Sequence, residues 1–158
     1  MTIDVFFFSL AERHVSRKGA KAKKKKSKMM SGRLEEFATI AIDCGLAVHR
    51  ELGPGLLESV YEAVLAHRLL RAGLEVERQK PIPITVDGLY LPDAFRADLL
   101  IEGELLIEIK AVELLSSLHL RQTLTYLRLT QKPFGLLMNF GGETFKQGLK
   151  RVVNNYAG

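Results

Sequence analysis

The sequence contains a single cysteine, Cys44, among its 158 residues. One thiol excludes an internal disulfide and a cysteine-rich metal cluster, and it fits a reducing compartment such as the cytoplasm. The sequence also lacks a run of about 18 apolar residues, so we expect no membrane-spanning helix. The short apolar run from Val5 to Leu10 follows Asp4, where a secretory signal would carry positive charge. We therefore expect a cytoplasmic protein without a signal peptide.

Basic residues are unevenly distributed along the chain, whose formal net charge is +5. Residues 1–30 hold nine basic and two acidic residues, whereas the other 128 residues carry 14 basic and 16 acidic groups, a net charge of −2. The lysine-rich segment offers almost nothing to bury, which is typical of a disordered tail. It either binds phosphates non-specifically or has no role, and a translation start at Met29 or Met30 would make it extraneous. The domain is predicted to span residues 31–158.

Hydrophobic periodicity predicts two helices followed by a small mixed sheet. Apolar residues recur at helical spacing from Leu34 to Leu52 and from Leu57 to Arg71, with a break at Gly53-Pro54-Gly55. The period then changes to two. The remaining predicted elements are strands at 74–79, 82–86, 95–101 and 105–110, a helix at 114–130 and a buried strand at 134–140. This order predicts an α/β or α+β domain in which helices flank a mixed β-sheet.

Charged residues interrupt the two central strands at informative positions. Side chains alternate across a sheet, so Arg96 and Asp98 share one face of their strand, and Glu108 and Lys110 share one face of the next. A three-residue loop at 102–104 pairs Asp98 with Glu108, whereas a two-residue turn would send Glu108 to the far side. Only the three-residue loop keeps the apolar faces together. We therefore predict that Asp98, Glu108 and Lys110 project from one patch opposite the core.

Asp98 and Glu108 would together form an oxygen-only site for a hard divalent cation. Two carboxylates roughly 5 Å apart repel each other unless a cation lies between them. Oxygen ligands suit Mg²⁺ or Mn²⁺ rather than zinc. Lys110 could act on water as a base or stabilise charge that develops on a phosphoryl oxygen. The alternative interpretation is a surface ion-pair cluster on an exposed face of the sheet.

Asp98 followed by Glu108-Ile109-Lys110 resembles the D…(D/E)xK signature of the PD-(D/E)xK nuclease superfamily. The segment Gly55-Leu56-Leu57-Glu58-Ser59-Val60-Tyr61 is similar to the motif that names the GxxExxY protein family, one of the groups assigned to that superfamily. Further similar segments are 48–55, 96–98, 108–112, Gln122, Tyr126-Leu127 and 135–141. The resemblance covers roughly Leu34 to Val153 and implies a restriction-endonuclease-like core.

The resemblance implies a metal-dependent nuclease that hydrolyses phosphodiester bonds. Asp98 and Glu108, with the backbone carbonyl of Ile109, would bind Mg²⁺ or Mn²⁺, and Lys110 would be the catalytic base or charge stabiliser. Glu58 would complete the metal site from the second helix. A glutamate at the start of a helix is, however, also favoured by the helix dipole, so both interpretations of Glu58 stay open.

Five further residues are candidates for contact with the substrate or with Lys110. Gln122 and Tyr126, one helical turn apart, resemble the Q-xxx-Y element of recombination-type nucleases, which implies catalytic roles; plain surface residues are the alternative. Arg96, Tyr61 and His119 are candidate substrate-binding residues. For Tyr61 a packing role, and for His119 an exposed neutral imidazole, are the simpler interpretations.

A catalytically silent module on the same fold, which binds nucleic acid or protein, is the alternative function. The intact Asp98, Glu108 and Lys110 triad favours the enzyme, whereas the net charge of −2 on the domain favours the module. DNA is favoured over RNA as the partner.

Overall fold

The computed structural model describes residues 10–154, which contain four helices and one five-stranded sheet. The helices are α1 (Leu10–Leu52), α2 (Glu58–Arg71), α3 (Ser117–Leu129) and the single turn α4 (Phe145–Gly148). The strands are β1 (Val76–Val86), β2 (Leu89–Ile101), β3 (Leu105–Lys110), β4 (Phe134–Asn139) and β5 (Leu149–Val153). The predicted α+β domain with a mixed sheet is confirmed. Within residues 10–154, no helix combines the length and hydropathy of a membrane span.

The strands lie in the order β1-β2-β3-β4-β5. All neighbours are antiparallel except β3 and β4, which are parallel and are joined across the sheet by α3. Leu137 and Met138 of β4 point to opposite faces because side chains alternate along a strand. Leu137 packs in a cluster with Leu127 of α3, whereas Met138 lies against Gly45 of α1. The part of α1 around Gly45 and helix α3 therefore lie on opposite faces of the sheet.

The loop between β2 and β3 has the predicted length of three residues. Ile101 pairs with Leu105, and the Glu104 N–H donates to the Ile101 carbonyl at 2.9 Å. Glu102 and Gly103 turn the chain with φ values of 52° and 65°. The register continues to Leu99 opposite Ile107, so Asp98 and Glu108 follow as the next residues of their strands. The loop length on which the predicted proximity of the two carboxylates depends is thus confirmed.

The β1–β2 hairpin is longer than the alternation predicts. Strand β1 runs without a break from Val76 to Val86, and β2 begins at Leu89 rather than at Phe95. The sequence pattern predicts two separate strands here because Pro81 and Pro83 interrupt the alternation. Strand β1 is an edge strand, and its pairing with β2 shifts register between Ile82 and Ile84, where Pro83 lies. Edge strands and bulges are the places where a sheet tolerates proline. The turn expected at Asp87-Gly88 is present, with φ values of 51° and 80°.

Helix α1 begins at Leu10, which differs from the expected disordered tail. Lysine and alanine, which dominate this segment, have high helix propensity, and the segment contains no proline. Residues 19–25 are exposed, in agreement with the lack of apolar residues to bury. The expected tail before Leu10 lies outside the described residues. The chain divides into two units between Glu35 and Glu36, and the sheet lies wholly in the second unit.

The C-terminal elements α4 and β5 carry little sequence signal, and periodicity does not predict them. Helix α4 is a single turn, and Val152 is the one β5 residue that is buried. An alternating pattern cannot be recognised from one inward residue.

Candidate active site

Glu108 lies near the end of β3 and is only 4% exposed. Its Oε1 accepts a hydrogen bond of 2.8 Å from Lys110 Nζ. Its Oε2 is buried and, within the described part of the chain, has no hydrogen-bond partner. Burial, followed by the charge of Asp98, raises the pKa of Glu108 to about 7. Burying a carboxylate oxygen without a hydrogen-bond partner costs free energy. Glu108 Oε2 is therefore suited to bind a ligand from outside the protein.

Asp98 is held by hydrogen bonds to both of its carboxylate oxygens. The backbone N–H of Ile109 donates to Oδ2 at 2.8 Å, and Gln79 Nε2 donates to Oδ1 at 3.0 Å. Burial raises the pKa of Asp98, and these two hydrogen bonds oppose the shift. The bond from Ile109 is a contact across the two strands, so it fixes the Asp98 carboxylate beside β3.

Lys110 is the cation of the site, and its side chain is 14% exposed. Burial by itself lowers the pKa of Lys110, but the hydrogen bond and charge of Glu108, with the charges of Glu58 and Asp98, outweigh it and raise the pKa. The ammonium therefore stays charged among three carboxylates.

The site is buried, whereas the sequence predicts it on an exposed face of the sheet. Five of the six residues of β3 are buried, Glu108 among them. Strand parity predicts one apolar and one exposed face for β3, but every β3 side chain before Lys110 is buried, whichever face it points to. The alternative of an exposed surface ion-pair cluster does not fit this burial.

Glu58 approaches the site from α2, of which it is the first residue. Its Oε1 accepts a hydrogen bond of 3.4 Å from the backbone N–H of Ala111, the residue after β3. Its charge acts on both Glu108 and Lys110. The start of α2 and the end of β3 thus bring Glu58 to the same group of charges.

Gln122 and Tyr126 lie on α3 and contact each other. Gln122 Nε2 donates to the Tyr126 hydroxyl at 2.6 Å, and the Tyr126 ring stacks on Phe95 with 3.9 Å between ring centroids. Burial, followed by the charge of Glu108, raises the pKa of Tyr126. The hydroxyl is thus within electrostatic range of Glu108. The catalytic roles expected for Gln122 and Tyr126 stay predictions.

Tyr61 is a packing residue rather than a substrate contact. Its side chain is fully buried and stacks on Phe140 with a centroid distance of 4.8 Å. Its hydroxyl donates to the Gly53 carbonyl at 2.6 Å and accepts from the Leu56 N–H at 3.1 Å. The tyrosine of the GxxExxY-like motif therefore fixes the loop between α1 and α2.

Arg96 and His119 each have a partner other than Asp98, Glu108 and Lys110. Arg96 is exposed and forms an ion pair with Asp93 at 3.2 Å. His119 Nδ1 accepts from the Ser116 N–H at 3.1 Å at the start of α3. Both substrate-binding assignments stay predictions, and these contacts give His119 a helix-capping role as well.

A cavity of about 490 Å³ opens beside Asp98. Its lining residues are Glu58, Ser59, Glu62, Arg78, Gln79, Asp98 and Ile109. Sequence reasoning missed Glu62, Arg78 and Gln79. Glu62 was within reach of such reasoning because it lies one helical turn after Glu58 on α2. Arg78 and Gln79 carry no signal beyond polar residues in an alternating strand.

The donor set suits a hard divalent cation. Asp98 and Glu108 supply carboxylate oxygens, and Glu108 Oε2 is the one that has no partner. In the described residues, no group of three or more His, Cys, Asp and Glu side chains is arranged to hold a metal. Two protein carboxylates with water and substrate oxygens suffice for Mg²⁺, which usually keeps several waters. The residues therefore fit such an ion without forming a closed protein cage.

The model of one protein family, the PD-(D/E)XK nuclease superfamily, matches residues 35–152 of the chain. The matched range contains Glu58, Asp98, Glu108, Lys110 and Tyr126. Proteins of this superfamily typically depend on a divalent metal. No curated protein and no solved structure matches the chain. The narrower resemblance to the GxxExxY family stays a prediction.

Proposed function

Because the chain belongs to the PD-(D/E)XK nuclease superfamily, we propose that it is a nuclease that cleaves phosphodiester bonds with Mg²⁺ or Mn²⁺. The observation that carries the proposal is the buried Glu108 carboxylate, whose Oε2 lacks a partner beside Asp98 and Lys110. A group with no catalytic role would be expected to satisfy both oxygens. DNA is the favoured substrate.

Asp98 and Glu108 would hold the metal ion, together with the carbonyl oxygen of Ile109. The bound ion would supply Lewis-acid polarisation of a phosphoryl oxygen and a more acidic water. Asp98 is already oriented for this role because both of its oxygens accept hydrogen bonds. Glu58, at the start of α2, would add a carboxylate at the edge of the site.

Lys110 would stabilise the charge that develops on the phosphoryl oxygens during cleavage. Its ion pair with Glu108 keeps the ammonium charged, which favours this role over that of a base. Tyr126, held by Gln122 and stacked on Phe95, would contact the nucleotide near the same charges. The cavity beside Asp98 would receive the substrate backbone.

Cleavage assays with Mg²⁺ and Mn²⁺ test the proposal on single-stranded, duplex and branched DNA and on RNA. Wild-type protein should cleave at least one substrate, and Asp98→Asn should reduce cleavage by roughly 10²-fold or more. Asp93→Asn is the matched control, because Asp93 is an exposed carboxylate of the same strand that pairs with Arg96. Binding without cleavage of any substrate by either metal would overturn the proposal and favour the binding module.

A further inference from the structure

Gln79 connects the candidate metal ligand Asp98 to a buried glutamate on α2. The Gln79 amide nitrogen donates to Asp98 Oδ1 at 3.0 Å and to Glu62 Oε2 at 2.7 Å. An amide NH₂ has two hydrogens, so it can serve both carboxylates at once. Gln79 is thereby the one described side chain that bridges Asp98 to a second carboxylate.

Glu62, the second carboxylate that Gln79 contacts, is itself buried and held by a hydrogen bond. It is only 6% exposed, and its Oε1 accepts a hydrogen bond of 2.8 Å from Arg78 Nε. Both of its carboxylate oxygens are therefore occupied, one by Arg78 and one by Gln79. Because Glu62 belongs to α2, the bridge ties Asp98 to a neighbouring helix.

The backbone at Gln79 departs from regular strand geometry to make the bridge. Gln79 has a φ of 48°, a conformation that residues other than glycine rarely adopt. Arg78 pairs with Leu99 and Lys80 pairs with Ala97, but Gln79 and Asp98, which lie between these pairs, do not pair through their backbones. The side-chain contact replaces the regular pairing at this one position. Such local departures concentrate at functional sites.

The chemistry of the side chain also matters at this position. Asp98 and Glu62 both present carboxylate oxygens to residue 79, so an amide donor attracts both groups, whereas a carboxylate would repel them. Each Asp98 oxygen accepts one hydrogen bond and keeps further lone pairs. The bridge thus fixes the direction of the Asp98 carboxylate and leaves it able to bind a cation.

We infer that Gln79 is a positioning residue that holds Asp98 in the orientation needed to bind the metal ion, an inference that rests on the proposed function. Hydrogen-bond partners of metal ligands typically change metal affinity by 10–100-fold when they are removed. Gln79 would act through Asp98 and would not touch the ion itself. Its loss should weaken metal binding without unfolding the protein.

The test compares Gln79→Gly with Gln131→Gly in the full chain. Glycine relieves the positive φ and removes the side chain, so a loss of metal affinity cannot be attributed to backbone strain. Gln131 is a matched control because it is an exposed glutamine with a φ of 54° that follows α3, outside the lining of the cavity. Thermal melting reports folding, and a calorimetric titration with Mn²⁺ reports affinity.

We expect both variants to melt within a few degrees of wild type, and Gln79→Gly alone to bind Mn²⁺ about tenfold or more weakly. Equal Mn²⁺ affinity in Gln79→Gly and wild type would overturn the inference and leave the proposed function intact. Unfolding of Gln79→Gly would also overturn it, because Gln79 would then be needed for the fold. A wild-type protein that binds no Mn²⁺ would instead overturn the metal site of the proposed function, and the inference with it.

Discussion

Two glutamate–lysine ion pairs in the same sheet have the same residue types but differ in their burial. Glu77 and Lys80 form an ion pair on the edge strand β1, with side chains 47% and 42% exposed. Glu108 and Lys110 form one on the central strand β3, with side chains 5% and 14% exposed. Only the β3 pair has a buried oxygen without a partner and a glutamate whose pKa is raised to about 7. Burial, rather than the residue types, distinguishes the candidate catalytic pair from the surface pair.

The energetic consequences follow from that difference. An exposed ion pair contributes about 0–1 kcal/mol because solvent screens it. Desolvating a buried charge costs free energy, so buried charged groups are found mainly where a function requires them. The following substitutions compare the two pairs directly, since each change at the β3 pair has a counterpart at the β1 pair.

The largest effect is expected for Lys110→Ala on catalysis. Because the ammonium would act on charge that develops in the transition state, cleavage should fall by roughly 10²-fold or more, with nucleic-acid binding changed only a few-fold. Lys80→Ala should leave both quantities unchanged. Equal losses of cleavage in the two variants would remove the distinction between the pairs. Cleavage rates and binding isotherms under the same metal concentration provide the comparison.

A smaller effect is expected for Glu108→Gln on the stability of the metal-free protein. A raised pKa means that the folded state disfavours the ionised form, so the neutral isostere should raise the free energy of unfolding at pH 8, by on the order of 2 kcal/mol. Glu77→Gln, on the exposed pair, should change it by less than about 0.5 kcal/mol. Urea unfolding measures both values. A substantial loss of stability in Glu108→Gln would show that the β3 pair is structural.

The pH dependence of stability sharpens the same contrast. The folded state binds the Glu108 proton more tightly than the unfolded state, in which the pKa is near its usual 4.5. Between about pH 4.5 and 7 the folded state therefore holds more protons, and the free energy of unfolding contributed by Glu108 falls as the pH rises. Unfolding free energies from pH 5 to 8 should fall more steeply in wild type than in Glu108→Gln. Parallel profiles would contradict the raised pKa.

The smallest effect is expected when the lysine-rich N-terminal segment is removed. Residues 19–25 are exposed and contain no apolar residue larger than alanine. A protein that begins at Met30 should melt within a degree or two of the full chain. Loss of soluble folded protein would show that the segment supports the domain.

The sequence predicts the β2–β3 part of the site well because strand parity limits the alternatives. Asp98, Glu108 and Lys110 can meet only with an odd-length loop, and the apolar residues at the alternating positions require that loop. The start of the helix that carries Glu58 also follows from local information, because Gly53-Pro54-Gly55 marks it strongly. The role of Glu58 in the site is implied by the resemblance instead.

The remaining parts of the site depend on contacts that no local pattern encodes. The Gln79 bridge needs a departure from strand geometry that alternation cannot reveal. The burial of Glu108 depends on the elements that pack around β3, and the burial of Tyr61 depends on its stacking against the distant Phe140. Such tertiary contacts decide which polar residues face a ligand and which complete the core.

The central claim is that the buried Glu108 carboxylate binds a divalent metal ion together with Asp98. The most direct measurement is a calorimetric titration of wild type, Glu108→Gln and Glu77→Gln with Mn²⁺ at pH 8, where Glu108 is ionised. We predict a binding isotherm for wild type and Glu77→Gln, and no detectable binding for Glu108→Gln. Equal binding by wild type and Glu108→Gln, or no binding by wild type, would contradict the claim.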